Sequence, residues 1–299
     1  MSIQTQRQDH YPTRVSNRPE LLERTEPVVH GTVDDGPLDA EALQTFDKDG
    51  ALLVENVFSA DEISQISARL ETLTEDPALR ADARTITELE SEQVRSIFEV
   101  HAIDPLFRDV INDDRVVAPA RQILASEVYL HQTRVNVKPG FSGDGFWWHS
   151  DFETWHAEDG MPQMRALSAS ITLTDNYPYN GPLLIVPGSH RTFVATVGKT
   201  PDDHYRASLK HQRVGTPDHD SLEELIIGQG RGIRQMTGKA GSVVFFDCNI
   251  MHGSGGNISP FPRSNVFAVF NSVDNAVSQP YAAPKARPNY LSAREVQPL

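Results

Sequence analysis

The residues with the clearest chemical potential are a histidine and an aspartate separated by one residue. His149 and Asp151 lie in the aromatic-rich run FWWHSDFETW, residues 146–155. Residues two apart on an extended strand point to the same face, so this pair can present an imidazole nitrogen and a carboxylate oxygen to one metal ion. His252 follows a strand-like run, residues 241–247, and we expect a sheet that folds back on itself to bring it beside His149. Two histidines and one carboxylate on one side of an octahedral ion leave three positions open, as in non-haem Fe(II) oxygenases.

His190 is the alternative third ligand, at the end of the run PGSH, residues 187–190. A histidine that closes such a turn is more often structural, and no arginine follows it at a useful distance. We therefore favour His252, since metal ligands are held in order on a rigid sheet.

Arg263 supplies the second part of the predicted site, because it lies at the entry to a strand-like run, residues 265–270, shortly after His252. A bidentate 2-oxo acid would take two of the open metal positions, and dioxygen would take the last. The distal carboxylate of such a co-substrate needs a partner, and a planar guanidinium can bind it through paired charge-assisted hydrogen bonds. The sequence thus predicts Fe(II), 2-oxoglutarate and O2.

This ordered set of His-x-Asp, distal histidine and arginine is similar to the phytanoyl-CoA dioxygenase superfamily of 2-oxoglutarate enzymes. The run before His190, residues 180–190, matches that superfamily as well, and residues 146–166, 247–254 and 257–265 closely resemble ectoine hydroxylases. The resemblance implies a double-stranded β-helix core, of the jelly-roll or cupin-like kind. It also implies a homodimer that hydroxylates the compatible solute ectoine to 5-hydroxyectoine, with release of succinate and CO2.

Further residues are assigned around the metal by this resemblance and by their chemistry. On the co-substrate side we predict Arg263, Phe146, Asn136 and Ser254. Phe146 should face away from His149 on an ideal strand, so this assignment requires a bulge or a strand end. On the substrate side we predict Gln132, Trp155, Phe246 and Phe267, because ectoine combines a carboxylate with a delocalised cation that suits an aromatic face. His156, Glu158 and Asp159 are interpreted as lid or surface residues.

The remaining pattern predicts an α+β fold with flanking helices. Helical periodicity covers residues 38–49, then 59–73 after a Ser59-x-x-Glu62 capping box, then 106–124. Short β-branched and aromatic runs follow, which favour an antiparallel sandwich or barrel. The predicted strands are residues 51–57, 127–137, 165–174, 183–186, 241–247 and 265–273. Residues 1–37 are polar and proline-rich, which predicts an extended or loosely packed arm before one domain, residues 38–299.

Composition narrows the possible partners. With 27 Lys plus Arg against 41 Asp plus Glu, the formal net charge of −14 disfavours nucleic acids and anionic membranes. A single cysteine, Cys248, agrees with a reducing compartment, and we expect a cytoplasmic location. Two alternatives stay open at this point, namely the same chemistry on another small cyclic or amino-acid-like substrate, and a non-catalytic metal-binding or solute-binding module.

Overall fold

The computed structural model describes residues 8–88, 91–209 and 212–299. The strands are β1 Glu20–Glu23, β2 Ala51–Val54, β3 Thr85–Thr87, β4 Val94–Phe98, β5 Val128–Lys138, β6 Phe146–His149, β7 Ala166–Thr172, β8 Leu183–Ile185, β9 Thr192–Ala195, β10 Arg234–Met236, β11 Val243–Asp247, β12 His252–Ser254 and β13 Arg263–Ser272. The α-helices are α1 Ala40–Asp49, α2 Ala60–Glu75, α3 Pro77–Arg80, α4 Val100–Ile103, α5 Pro105–Ile111, α6 Asp114–Leu124, α7 Asp151–Thr154, α8 Tyr205–Ser208 and α9 His219–Glu223. Short 3-10 turns cover Val33–Asp35, Ser189–Arg191 and Val273–Asn275, and π-helical turns cover Trp155–Asp159 and Glu224–Gly228.

Two antiparallel sheets form the body of the described chain. The major sheet has the strand order β2-β11-β7-β13-β5-β4-β3, and the minor sheet has the order β10-β8-β12-β6. Side chains of both sheets share one apolar cluster, in which Ile185 of the minor sheet packs with Val244 and Phe267 of the major sheet. This arrangement is the predicted double-stranded β-helix, and the α+β class is confirmed.

Helices α1 to α6 cover the outer face of the major sheet. Alternation along β11 shows the division, since Val243 and Phe245 belong to the cluster beneath the helices while Val244 and Phe246 belong to the cluster between the sheets. The predicted capping box starts α2, where the Ser59 and Glu62 side chains each accept from the other's backbone N–H.

Two sequence predictions of helix and strand ends need correction. The single helix predicted over residues 106–124 is two helices, because Asp104 and Asp113 each cap a new helix start. The strand predicted to carry both His149 and Asp151 ends at His149, and Asp151 opens α7 after the cap Ser150. Short strands such as β4 and β12 were not predicted at all.

The described part of the N-terminal segment, residues 8–37, is extended but not loose. Its strand β1 pairs with β9, and Tyr11, Thr13, Arg14 and Arg24 are all buried. Arg14 forms ion pairs with Glu153 and Glu158 at 2.7 Å each. The polar composition of this segment therefore reflects buried ion pairs as well as exposed surface.

Candidate active site

The predicted metal ligands converge at the open end of the minor sheet. β12 pairs with β6 so that His252 stands directly opposite His149, and the two imidazole rings are 4.2 Å apart. Nε2 of His149 lies 3.6 Å from Oδ1 of Asp151, and Nε2 of His252 lies 3.9 Å from Oδ2. In the described chain these three residues are the group whose ligand atoms lie close enough, within 4.8 Å of one another, to hold one ion.

The orientation of both histidines leaves Nε2 available as a ligand. Nδ1–H of His149 donates to the carbonyl of Trp147 at 2.7 Å, and Nδ1–H of His252 donates to that of Ile250 at 3.0 Å. A backbone carbonyl that binds one ring nitrogen fixes the tautomer, with the lone pair on the other nitrogen. The Nε2 atoms therefore point toward Asp151 and are available as metal ligands.

The charge state of the cluster also suits a cation. Burial opposes ionisation of Asp151, but His252, His149 and Arg134 together hold its pKa below the ordinary value. Burial lowers the pKa of His252 to about 4, and His149 adds to this shift. Oδ2 of Asp151 is buried and accepts no hydrogen bond from the described residues. A buried, ionised oxygen without a donor is expensive, and a bound divalent ion would satisfy it.

A cavity of about 120 Å³ opens beside the triad. Nearly all the other predicted site residues line it: Gln132, Asn136, Phe146, Trp155, Ser254, Arg263 and Phe267. Phe246 is fully buried, its ring 5.3 Å from that of His252, and it is not among the described side chains of the cavity wall. Its role in substrate binding stays a prediction.

Arg263 shapes one end of the cavity as a buried cation. Arg95 is the only charged group of the described residues that acts on it, and its Nε has no hydrogen-bond partner among those residues. Burial lowers the pKa of Arg263 to about 10, and Arg95 contributes to the shift. Asn136 stands nearby with its Oδ1 accepting from Ser96 at 2.8 Å, and Lys138 Nζ donates to Ser254 Oγ at 2.9 Å. This end fits an anionic ligand.

Phe146 lines the same end in spite of its odd spacing from His149. The guanidinium of Arg95 stacks over its ring at 3.9 Å, and the pairing of β6 with β12 is irregular between His252 and Ser254. The assignment of Phe146 to the co-substrate site required a bulge or a strand end near His149, and this irregularity meets that requirement.

Two further arginines, Arg134 and Arg287, line the cavity, and sequence reasoning did not assign them to the site. Arg134 stacks over the ring of Phe267 at 4.7 Å and donates to the side chain of Gln132. Gln132 in turn donates to the carbonyl of Leu291 at 2.7 Å. Arg134 shares a strand face with Gln132 and Asn136, which was the available signal. Arg287 comes from the irregular C-terminal segment, where no pattern marks it.

Other candidates are placed away from the metal. His190 is buried, its Nε2 lies 3.1 Å from the carbonyl of Asp47, and it is not part of the group that could hold an ion. The interpretation of His156, Glu158 and Asp159 as lid or surface residues is wrong, because all three are buried in the π-helical turn after α7. Glu158 accepts from Arg14 and lies 3.0 Å from Nδ1 of His204, which itself lines the cavity.

Comparison with known proteins agrees with this geometry. A family model described as phytanoyl-CoA dioxygenase (PhyH) matches residues 46–265. Ectoine dioxygenase of Nocardia farcinica is 53% identical over 291 residues, which cover 97% of this chain and 95% of that protein. Ectoine dioxygenase of Streptomyces coelicolor is also 53% identical, over 97% of each chain.

Solved structures give the same result. EctD from S. alaskensis with 2-oxoglutarate and 5-hydroxyectoine is 45% identical, with a TM-score of 0.87 over 98% of this chain and 96% of that one. EctD with bound Fe is 46% identical, with a TM-score of 0.86 over 96% and 95%. In the described residues no helix combines the length and apolar character needed to cross a membrane. From its sequence match and its folded site together, this chain belongs to the phytanoyl-CoA dioxygenase family.

Proposed function

We propose that the chain is an Fe(II)- and 2-oxoglutarate-dependent dioxygenase that hydroxylates ectoine to 5-hydroxyectoine and releases succinate and CO2. The observation that carries this proposal is the triad of His149, Asp151 and His252 at the mouth of a cavity whose arginines face ligand space. Relatives of about half-identical sequence over nearly the whole chain are named ectoine dioxygenase. An uncharged or purely apolar ligand would leave buried Arg263 without a charged partner among the described residues.

The triad would hold the iron, and its residues fit that ion. Two neutral imidazoles and one carboxylate form a facial set for Fe(II), with positions left for a bidentate 2-oxo acid and dioxygen. Bound there, iron with these co-substrates supplies the oxidising power for C–H hydroxylation. The protein's part is to orient the ligands and to keep the reaction out of bulk water.

Arg263 would hold the distal carboxylate of 2-oxoglutarate. A guanidinium can bind a carboxylate through two parallel hydrogen bonds, and the absence of a carboxylate partner among the described residues leaves Arg263 available for that ligand. Asn136, Ser254 and Phe146 complete this end, with Lys138 orienting the Ser254 hydroxyl through its donated hydrogen bond.

Arg134 and Arg287 would receive the carboxylate of ectoine. The negative charge of Asp151 favours the charged form of both guanidinium groups, so both lie toward the metal side of the cavity. The delocalised cation of the ectoine ring would lie against the aromatic faces of Trp155 and Phe267, with Gln132 and Phe246 as further predicted contacts. The carbon that is hydroxylated neighbours the carbon that bears the carboxylate, so a fixed carboxylate also fixes the reacting C–H bond.

The assignments of individual side chains belong to this proposal, as do a homodimer, a cytoplasmic location, and the division into an arm, residues 1–37, and one catalytic domain, residues 38–299. The dimer and the location follow from the family resemblance and from composition.

The decisive experiment is an assay of the purified protein with Fe(II), 2-oxoglutarate, O2 and ectoine. We expect succinate and 5-hydroxyectoine to form in equal amounts, and both to vanish without ectoine or iron. Succinate release with another cyclic amino acid but not with ectoine would reassign the substrate. No succinate with any member of such a panel would overturn the enzymatic proposal.

A further inference from the structure

A buried carboxylate outside the cavity lining holds one of the cavity arginines. Asp159 ends the π-helical turn that follows α7, and its side chain is fully buried. Its Oδ1 accepts from Nε of Arg287 at 2.8 Å, and its Oδ2 accepts from Nη2 at 2.6 Å. Burial opposes the ionisation of Asp159, but Arg287 keeps its pKa below the ordinary value. A two-point charged fork of this kind fixes the plane and direction of the guanidinium.

The same carboxylate also supports an aromatic wall of the cavity. Nε2 of His131 lies 3.2 Å from Oδ2 of Asp159. The His131 ring packs edge-on against Trp155, with the ring centroids 5.2 Å apart and an interplanar angle of 67°. Burial lowers the pKa of His131, so the ring is a neutral spacer between the carboxylate and the indole.

One short segment therefore carries three parts of the site. Asp151 opens α7, Trp155 opens the π-helical turn and Asp159 ends it. Gly160 then turns the chain with φ +83, and a Cβ there would lie 2.3 Å from the carbonyl oxygen of Gln279. The backbone on both sides of Asp159 is thus set by packing.

We propose that Asp159 is a positioning residue for substrate recognition, which holds Arg287 by its fork and Trp155 through His131. The proposal rests on the proposed function, since Arg287 and Trp155 are taken to contact the carboxylate and the cationic ring of ectoine. Asp159 itself touches neither the substrate nor the metal. Asp159 fixes the arginine side chain before the substrate binds. Less conformational entropy is therefore lost when the substrate binds.

A purely structural role for Asp159 makes a different prediction, and Arg294 provides the matched control. Nη1 of Arg294 donates to the backbone carbonyls of Asp159 at 2.9 Å and Ser278 at 2.6 Å, so it anchors the same C-terminal segment. Arg294 is not among the described residues that line the cavity. Loss of segment anchoring alone would affect Asp159 and Arg294 variants alike.

The test measures ectoine binding by calorimetry under anaerobic conditions, with Fe(II) and 2-oxoglutarate present, so that no turnover occurs. We expect Asp159→Asn to weaken the Kd for ectoine by about 10-fold or more, while the Kd for 2-oxoglutarate stays within about two-fold. Arg294→Gln should leave both values within about two-fold. Asp159→Glu, which keeps the charge but shifts the fork by one methylene, should lie between wild type and Asp159→Asn.

A double variant separates positioning from an independent effect. If Asp159 acts mainly through Arg287, then adding Asp159→Asn to Arg287→Gln should weaken ectoine binding much less than Asp159→Asn weakens it in the wild type, and the remainder measures the route through His131 and Trp155. Equal weakening in both backgrounds would show that Asp159 does not act through Arg287. The double variant removes both buried charges, so it remains testable even where Asp159→Asn alone fails to fold. Folded Asp159→Asn with the wild-type Kd, or equal weakening by Arg294→Gln, would overturn the proposal. Wild-type protein that binds no ectoine at all would instead refute the proposed function.

Discussion

At the scale of single residues, the metal site depends on carbonyl groups that precede each histidine. Trp147 and Ile250 each accept from an Nδ1–H two positions later and leave Nε2 for a ligand. The sequence could predict the three ligand types, but not these tautomers, because the carbonyl positions depend on where β6 ends and β12 begins.

Asp151→Asn should abolish iron binding without harming the fold. The variant loses the anionic ligand, and we expect hydroxylation to fall by more than about 100-fold, since even residues that only support metal ligands cost 10–100-fold. The thermal midpoint of the metal-free variant should fall slightly below that of metal-free wild type, because the amide keeps the shape of the carboxylate but loses its attraction to His252, His149 and Arg134. Iron content and differential scanning calorimetry check both statements.

His190→Gln is the contrasting case for that experiment. Its ring is buried and bonded to the chain at Asp47, away from the cavity, so iron content should stay at the wild-type level while the thermal midpoint falls. Iron loss in this variant would show that the ligand set has been misassigned.

Arg263→Gln should act on the co-substrate alone. A neutral amide keeps some hydrogen bonding but loses the charged fork, so KM for 2-oxoglutarate should rise by about 10-fold or more. KM for ectoine should change by less than about three-fold, because Arg134 and Arg287 serve that ligand. Steady-state kinetics with each substrate varied in turn would reveal the split, and a matching rise in both KM values would contradict the assignment.

At the scale of elements, the relative position of His149 and Asp151 is set by the end of strand β6, which lies between them. Both residues would share a face on a continuous strand, and this argument selected residues that the fold does bring together, but for an incomplete reason. The Ser150 cap starts α7 directly after β6, so Asp151 approaches through a helical turn instead. Periodicity detects long elements such as α2 and β13, whereas a strand-to-helix junction of a few residues has no period to detect.

The burial of residues in the N-terminal segment was not predicted, because their contacts are ionic and distant in sequence. Arg14 pairs with Glu153 on α7 and with Glu158 in the π-helical turn, and all three side chains are nearly inaccessible. Nothing in residues 8–37 taken alone marks Arg14 as buried. The pairing ties the segment to the element that begins with Asp151.

Arg14→Met should therefore destabilise the protein strongly. It leaves two buried carboxylates without their cation, and we expect the free energy of unfolding to fall by about 3–5 kcal/mol. Urea unfolding at neutral pH is the measurement. Lys239→Met provides the control, since its ion pair with Asp175 is solvent-exposed and its loss should leave the urea midpoint unchanged. Equal midpoints for wild type and Arg14→Met would mean that the segment contributes little to stability.

At the scale of the whole molecule, the acidic net charge coexists with a strongly cationic interior around the co-substrate end. The cations there are Arg95 and Arg263, which disfavour protonation of the neighbouring Lys138, while Glu88 and Asp144 favour it. Composition reports the charge of the surface and predicts solubility, but it does not reveal that cations gather where anionic ligands must bind. That information emerges only when β4, β5 and β13 pair.

This clustering gives a pH dependence of stability that can be measured in the metal-free protein. Burial, with Arg263 and Arg95, lowers the pKa of Lys138 to about 6, below its ordinary value of 10.5. Between those two values the unfolded chain carries the Lys138 proton and the folded chain does not, so the free energy of unfolding rises with pH by up to about 1.4 kcal/mol per unit. Below pH 6 both states are protonated, and this dependence ends.

Lys138→Met removes the group, so the difference in unfolding free energy between wild type and variant should grow in favour of wild type from pH 6 to pH 10. Urea unfolding across that range tests the sign, and parallel pH profiles for the two proteins would show that Lys138 stays charged in the folded state.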